Sequence, residues 1–343
     1  MTGALLAGGP HDVTTLTSTA RLAAHKTITA RGGGYDTVGY GKAAKFSASV
    51  ANVADANMLY ELALKLQTCP HSFIVRGAVR ANANPYSMRR LAHDKHDERT
   101  GEVVERTLEE VPRSWAMFDL DDVETRRSDW FHPSHLIDEV RWTIDRHFPP
   151  EFRGCAFVAT ATSQAGLTAG MRARVSVLFG RPWLGHEVER AMKHVPLDFT
   201  TLRVAQAIYT CAPVFIGMAD PVQRRVAYFW GDRDTVPLVV PPAPPKPKID
   251  LSSFRSTPWG GAGLTLDHLH DAVLRATKGG RRMTLFGCAA RSMDLIREGK
   301  ATHDEVFAAL GSAALLAGIP GSRQDIAKHI SNGLARGATG GLP

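Results

Sequence analysis

Six prolines fall between residues 237 and 250, in PLVVPPAPPKPKID. Proline has no amide proton for a helix or a ladder and holds φ fixed, so this run is expected to be extended and unpacked. It parts the chain into two textures. Residues 1–236 alternate short β-rich runs with helical periods, residues 237–252 form the linker, and residues 253–343 read as helix throughout. Two bodies are expected: an α+β domain built on a sheet, then a small all-helical domain.

The helical body contains four periods: TLDHLHDAVLRAT, MTLFGCAARSMDLIREG, THDEVFAALGSAALLAG and SRQDIAKHISNGLARG. The second should stop at Gly299. The third opens on a capping box, Thr302 to Glu305, and should stop at Gly318. In the larger body NMLYELALKLQTC and GHEVERAMKHV have helical periods. So does SHLIDEVRWTIDRHF, with Ser134 as N-cap and Leu136, Ile137, Val140 and Ile144 on one face. The strand candidates are SFIVRGAV, RSWAMFDLDD, GCAFVATATS, MRARVSVLFG, LRVAQAIYTCAPVF and VAYFWG. The first fifty residues are weakly patterned.

No run of about 18 apolar residues is present, so no membrane span is expected. MTGALLAGGPHDV has no basic start ahead of its apolar patch and does not read as a signal peptide. The four cysteines form no CxxC, which argues against a zinc ribbon or a disulfide framework. Cys155 and Cys211 sit in apolar runs and read as buried thiols, in keeping with a reducing, cytoplasmic setting. The net charge of +7 favours a polyanionic partner, and eleven Lys/Arg stand against seven Asp/Glu from residue 251 on. Lys278, Arg281 and Arg282, after a Gly-rich break, are candidates for gripping nucleic acid.

The chemistry gathers around WAMFDLDD. Residues i and i+2 of a strand share a face, so Asp119 and Asp121 point the same way, about 6–7 Å apart. Two such carboxylates repel each other unless a cation lies between them, and oxygen-only donors suit Mg²⁺ or Mn²⁺. A bare DxD is also a common polar strand end. Its second occurrence, Gly231–Asp234, reads as a hairpin tip. Further on, Arg172, Arg174 and Ser176 alternate with Ala173, Val175 and Val177. Two arginines on one strand face are costly unless they meet an anion, and guanidinium groups fork onto phosphate. Asp198, after a short helix, reads by itself as an N-cap.

The order of these features resembles the three motifs of the archaeo-eukaryotic primase (primase-polymerase) superfamily, in its plasmid, phage and mobile-element branch. Asp119-Leu120-Asp121 is similar to the first motif, Ser163 to Gly166 with the following strand to the second, and Leu197-Asp198 to the third. The resemblance spans roughly residues 58 to 235 and implies a catalytic core with an RRM-like mixed sheet, followed by a helical domain. It implies that Asp119, Asp121 and Asp198 hold two divalent ions, Mg²⁺ or Mn²⁺, with no zinc. Ser163, Arg172 and Arg174 would cradle the triphosphate, and Arg76 would contact phosphate or template or else serve as a structural salt bridge. Arg203 and Gln206 are weaker candidates for the same pocket. The family's second motif usually ends in histidine; here Arg172 or Arg174 stands in that place, and which one is left open. The activity implied is DNA priming on single-stranded DNA with NTP or dNTP, in the cytoplasm of a bacterial or phage-infected cell, with a replicative helicase as partner. Two other classes stay in view: a non-catalytic RRM-like nucleic-acid-binding replication protein, and a metal-dependent nuclease.

Overall fold

The computed structural model describes residues 8–96, 102–243, 263–277, 280–319 and 322–339. The chain divides into two compact units between Ala243 and Pro244, inside the proline-rich run. The architecture is mixed α+β. No helix among the described residues is long and apolar enough to cross a membrane.

The first unit opens with β1 (Asp12–Ser18), β2 (Thr27–Arg31), β3 (Gly34–Val38) and β4 (Phe46–Asn52), then α1 (Ala56–Gln67) and β5 (Ser72–Val75). Four short strands follow: β6 (Ala78–Val79), β7 (Lys95–His96), β8 (Val103–Val104) and β9 (Leu108–Glu109). The main body is β10 (Arg113–Val123), α2 (Leu136–His147), β11 (Phe157–Ala161), β12 (Met171–Trp183), α3 (Gly185–Met192), β13 (Val214–Ile216), β14 (Val226–Phe229) and β15 (Thr235–Val236). The central sheet runs β10-β12-β11-β14, with β15 joined in parallel to β12. An antiparallel sheet β4-β1-β5 and a sheet β13-β2-β3 lie in the N-terminal part.

Alternation along β10 and β12 builds both sides of the central sheet. Ala116, Phe118 and Leu120 join Ala173, Val175 and Val177 in one core with Val140 and Ile144 of α2. Trp115, Met117 and Leu178 face the other way, into a core shared with Leu59, Ala63 and Leu66 of α1. The sheet is therefore covered on both faces. Each turnover of the alternation hides side chains on a different layer, which is why these strands read as almost continuously apolar.

Several expectations change here. Residues 12–52 hold four strands that the sequence concealed, because β1 (DVTTLTS) and β4 (FSASVAN) alternate small polar residues instead of large apolar ones. LRVAQAIYTCAPVF is not a strand. It leaves a 3-10 turn at Phe199–Leu202 and runs irregularly until Val214, where the short strand β13 begins. Ser134 does not cap α2; His135 takes that position with no side-chain cap bond. Gly231–Asp234 is no hairpin tip, since β15 pairs with β12 and not with β14. The start of the proline-rich run is packed: Leu238 is buried and Val240 lies against the main core.

The second unit contains α4 (Leu266–Leu274), α5 (Arg281–Arg297), α6 (His303–Leu316) and α7 (Arg323–Ala338). Its core is formed by Leu269, Leu285, Leu310, Ile326, Ile330 and their neighbours. The capping box at Thr302 and Glu305 is present, and a second one, at Ser322 and Asp325, opens α7. Lys278 lies outside the described residues.

Candidate functional site

Pairing of β10 with β12 places Asp119 opposite Arg174 and Asp121 opposite Arg172. Facing residues of an antiparallel pair point to the same side, so the acid strand and the basic strand meet as cross-strand ion pairs. Arg174 Nε donates to Asp119 Oδ1 at 2.6 Å, and its Nη1 donates to the Tyr209 carbonyl at 2.9 Å. Arg172 Nη1 lies 3.5 Å from Asp121 Oδ1, and its Nη2 lies 4.0 Å from Asp122 Oδ1. The anions that offset the two arginines here are thus the aspartates themselves. Arg174 is nearly buried and Asp119 half-buried, whereas Asp121 and Asp122 are exposed.

A bulge ends the regular ladder. Between Asp121 and Val123 the register shifts, and Asp122 takes a left-handed backbone with φ of 64°. Gly170 makes this possible from the other strand, because a Cβ there would stand 2.6 Å from Asp122 Oδ1. A third carboxylate is thereby turned toward Arg172.

Asp198 joins the group through the backbone. It forms an antiparallel bridge with Asp119 on the open side of β10, so its Cβ leaves the chain on the same face. Its carboxylate caps the 3-10 turn, accepting from Thr200 N at 2.9 Å and Thr200 Oγ1 at 2.8 Å. The N-cap and the third acid are one and the same residue. The carboxylates of Asp119, Asp121 and Asp198 are oxygen donors of the kind that Mg²⁺ or Mn²⁺ takes. Among the described residues, no three His, Cys, Asp or Glu are grouped to hold a metal ion.

Beside the aspartates lies a narrow pocket of about 40 Å³ whose walls include Ser163, Arg174, Lys26, Arg225, Tyr40 and Tyr209. Ser163 and Arg174 therefore converge. The loop bearing Ser163 is held by Arg225, which donates to the Thr162 carbonyl at 2.7 Å and grips both oxygens of Asp220. Gly166 completes the loop with φ of 76°, where a side chain would press on Pro221 and Phe131. Lys26 contributes a positive charge that forms no ion pair among the described residues, with its Nζ 5.8 Å from the centre of the Tyr40 ring.

Arg76 is not part of this surface. It is 2% exposed and donates to the backbone carbonyls of Trp115 and Trp183 at 2.6 and 2.7 Å. Neither a phosphate contact nor a salt bridge describes it; its guanidinium fills a gap in the sheet. Arg203 and Gln206 are exposed and line neither this pocket nor its neighbour.

Three contributors escaped the sequence: Lys26, Arg225 and Tyr40. The first and third come from the weakly patterned N-terminus. Only the fold carries them to β12. Tyr40 stacks on Tyr209 with ring centres 3.4 Å apart and planes 7° from parallel. Burial, above all, pushes the Tyr40 hydroxyl up to about 12; Arg174 opposes this, and Tyr209, Asp119 and Asp121 add to it. A phenol raised in the folded state stabilises the fold below the ordinary tyrosine range and loses that contribution as pH climbs through 12. Alkaline absorbance titration of the wild type minus Tyr40→Phe should therefore isolate one phenol with a midpoint near 12. A difference component near 10, the ordinary tyrosine value, would contradict the burial seen here.

Comparison with models of known protein families, with curated proteins and with solved structures finds no match.

Proposed function

We propose that this protein is a DNA primase, able also to extend primers, which adds nucleotides on a single-stranded DNA template. The observation that carries this is the bridge between Asp119 and Asp198 beside a basic pocket. Asp119, Asp121 and Asp198, from segments about 80 residues apart, leave the backbone on one face, and Lys26 and Arg174 line the pocket next to them. The path of β10, α2, β11, β12 and α3, followed by the Asp198 bridge on the far side of β10, supports an RRM-like core.

In this reading Asp119, Asp121 and Asp198 would hold the divalent ions. When bound, such a pair supplies activation of a 3′-hydroxyl and neutralises charge on the departing pyrophosphate. The chain's own groups do the positioning. Arg174, fixed by Asp119 and the Tyr209 carbonyl, presents its guanidinium to phosphate oxygens without reorganisation. Lys26 adds a point charge in the same pocket, and Ser163 offers a hydroxyl from a loop that Arg225 holds in place. A nuclease has no need of this cationic pocket. A stacking platform of the RRM type needs aromatics open on the sheet, and Phe118 and Phe157 are buried. Single-stranded DNA and a replicative helicase remain the partners in this proposal.

The test is incubation with single-stranded template, Mn²⁺ or Mg²⁺ and labelled nucleotides. Dinucleotides and longer products should form and should disappear with Asp198→Ala. Degradation of the template in their place would favour the nuclease. Arg174→Ala should weaken nucleotide binding about tenfold or more, the value of one lost charge-assisted contact. Unchanged affinity would remove Arg174 from the pocket.

A further inference from the structure

A second pocket, of about 320 Å³, lies on the other side of the Tyr40–Tyr209 stack. It is large enough for a small organic ligand. Its floor is apolar and aromatic, with Phe46 and Phe73, and its rim carries Lys42 and Arg90. No aspartate or glutamate lines it. Lys42 is exposed, and neither it nor Arg90 forms an ion pair among the described residues. Arg90 is held in place by the Ala205 carbonyl and by the Phe73 ring, 5.5 Å from its guanidinium carbon. The loops that frame the opening are tied together, with Gly41 N donating to the Ala23 carbonyl at 2.8 Å.

Apolar, aromatic walls suit a ring, and unpaired cations at the rim suit an anion attached to it. We propose that this pocket binds one nucleotide unit, with its base among the aromatic side chains of the floor and its phosphate against Lys42 and Arg90. The choice of a nucleotide among aromatic anions rests on the nucleotidyl-transfer reading of the neighbouring site; the pocket's charge and shape do not. Position gives the occupant a route to that site. Tyr40 and Tyr209 wall both pockets, and the Tyr209 carbonyl is the acceptor that holds Arg174 on Asp119. A nucleotide lodged there is separate from the one whose triphosphate meets Arg174.

The experiment is calorimetric titration of adenosine 5′-monophosphate into the full chain in the presence of a chelator, which removes any contribution from divalent ions. Binding is expected for the wild type and, unchanged, for Asp119→Asn. Lys42→Glu, which alters an exposed side chain, should weaken it at least tenfold. Leu22→Trp, which fills the pocket from its rim, should do the same. Adenosine without phosphate should bind at least tenfold more weakly. A 5′-phosphorylated oligodeoxynucleotide binding more tightly than the monophosphate assigns the pocket to a strand; the reverse order assigns it to a free nucleotide, and both support a nucleotide unit. Absence of binding at millimolar concentration would overturn the proposal. So would wild-type affinity in both Lys42→Glu and Leu22→Trp, or loss of binding in Asp119→Asn. Primer extension is read on the same preparations: its absence sinks the nucleotidyl-transfer reading alone, while extension without monophosphate binding sinks this pocket alone.

Discussion

Asp119→Asn should reduce template-directed nucleotide addition by about a thousandfold or more, equivalent to roughly 4 kcal/mol of transition-state stabilisation. Asp119 joins the acidic group to the basic strand. It pairs with Arg174 across the ladder, bridges to Asp198, and shares a face with Asp121. Asparagine keeps the shape, and its amide oxygen can still accept from Arg174 Nε, so the sheet should hold. What disappears is the negative charge, on which cation binding depends. Alanine is a poorer probe: it would leave a nearly buried guanidinium without its acid, at a cost of about 1–3 kcal/mol. The measurement is single-turnover extension of a labelled primer, with circular dichroism as the control for folding. Wild-type rates in Asp119→Asn would remove the aspartate cluster from catalysis.

Arg76→Ala is expected to cost about 3–5 kcal/mol of stability while leaving the nucleotide affinity of the folded protein unchanged. The ladder between β10 and β12 is irregular between Arg113 and Trp115. There the Trp115 and Trp183 carbonyls are met by the two terminal nitrogens of Arg76. Arg113 lies beside it, equally buried, donating to the Arg76 and Gly9 carbonyls. No carboxylate pairs with either among the described residues. Burial, and for Arg76 the neighbouring Arg113 charge, lowers both guanidinium groups to about 10. Truncation would strand two buried carbonyls and open a cavity in the wall between the sheets. For a unit of this size the loss corresponds to a Tm drop on the order of 10 °C. Thermal unfolding together with nucleotide titration separates the possibilities. A variant of wild-type stability with weakened nucleotide binding would restore Arg76 to a phosphate-binding role.

The two outcomes differ because the two arginine environments differ. Arg174 sits where a strand face opens onto solvent and meets an acid. Arg76 sits where the ladder fails and donates to backbone carbonyls, with no acid paired to it among the described residues. Sequence spacing shows neither distinction, since both residues lie in apolar β runs. The alternation of Arg172 and Arg174 with Ala173 and Val175 was legible because a strand's period is two and one face was plainly apolar. The four helices of the C-terminal unit were legible for a related reason: their caps and stops, such as Thr302 with Glu305, act within a single turn of chain.

By itself, then, the chain's order of residues determined that Asp119 and Asp121 share a face of one strand and Arg172 and Arg174 a face of another, that a helical unit follows a sheet unit, and where most of its helices begin. These are consequences of short-range periodicity and local hydrogen bonding. Tertiary structure alone decided that Asp198 lies against Asp119, that Lys26 and Tyr40 reach a pocket formed by β12, and that Arg76 is sealed away from it. Each of these depends on which strand becomes whose neighbour. That choice is made by burying apolar area between distant segments, a non-directional force that leaves no periodic mark in the sequence.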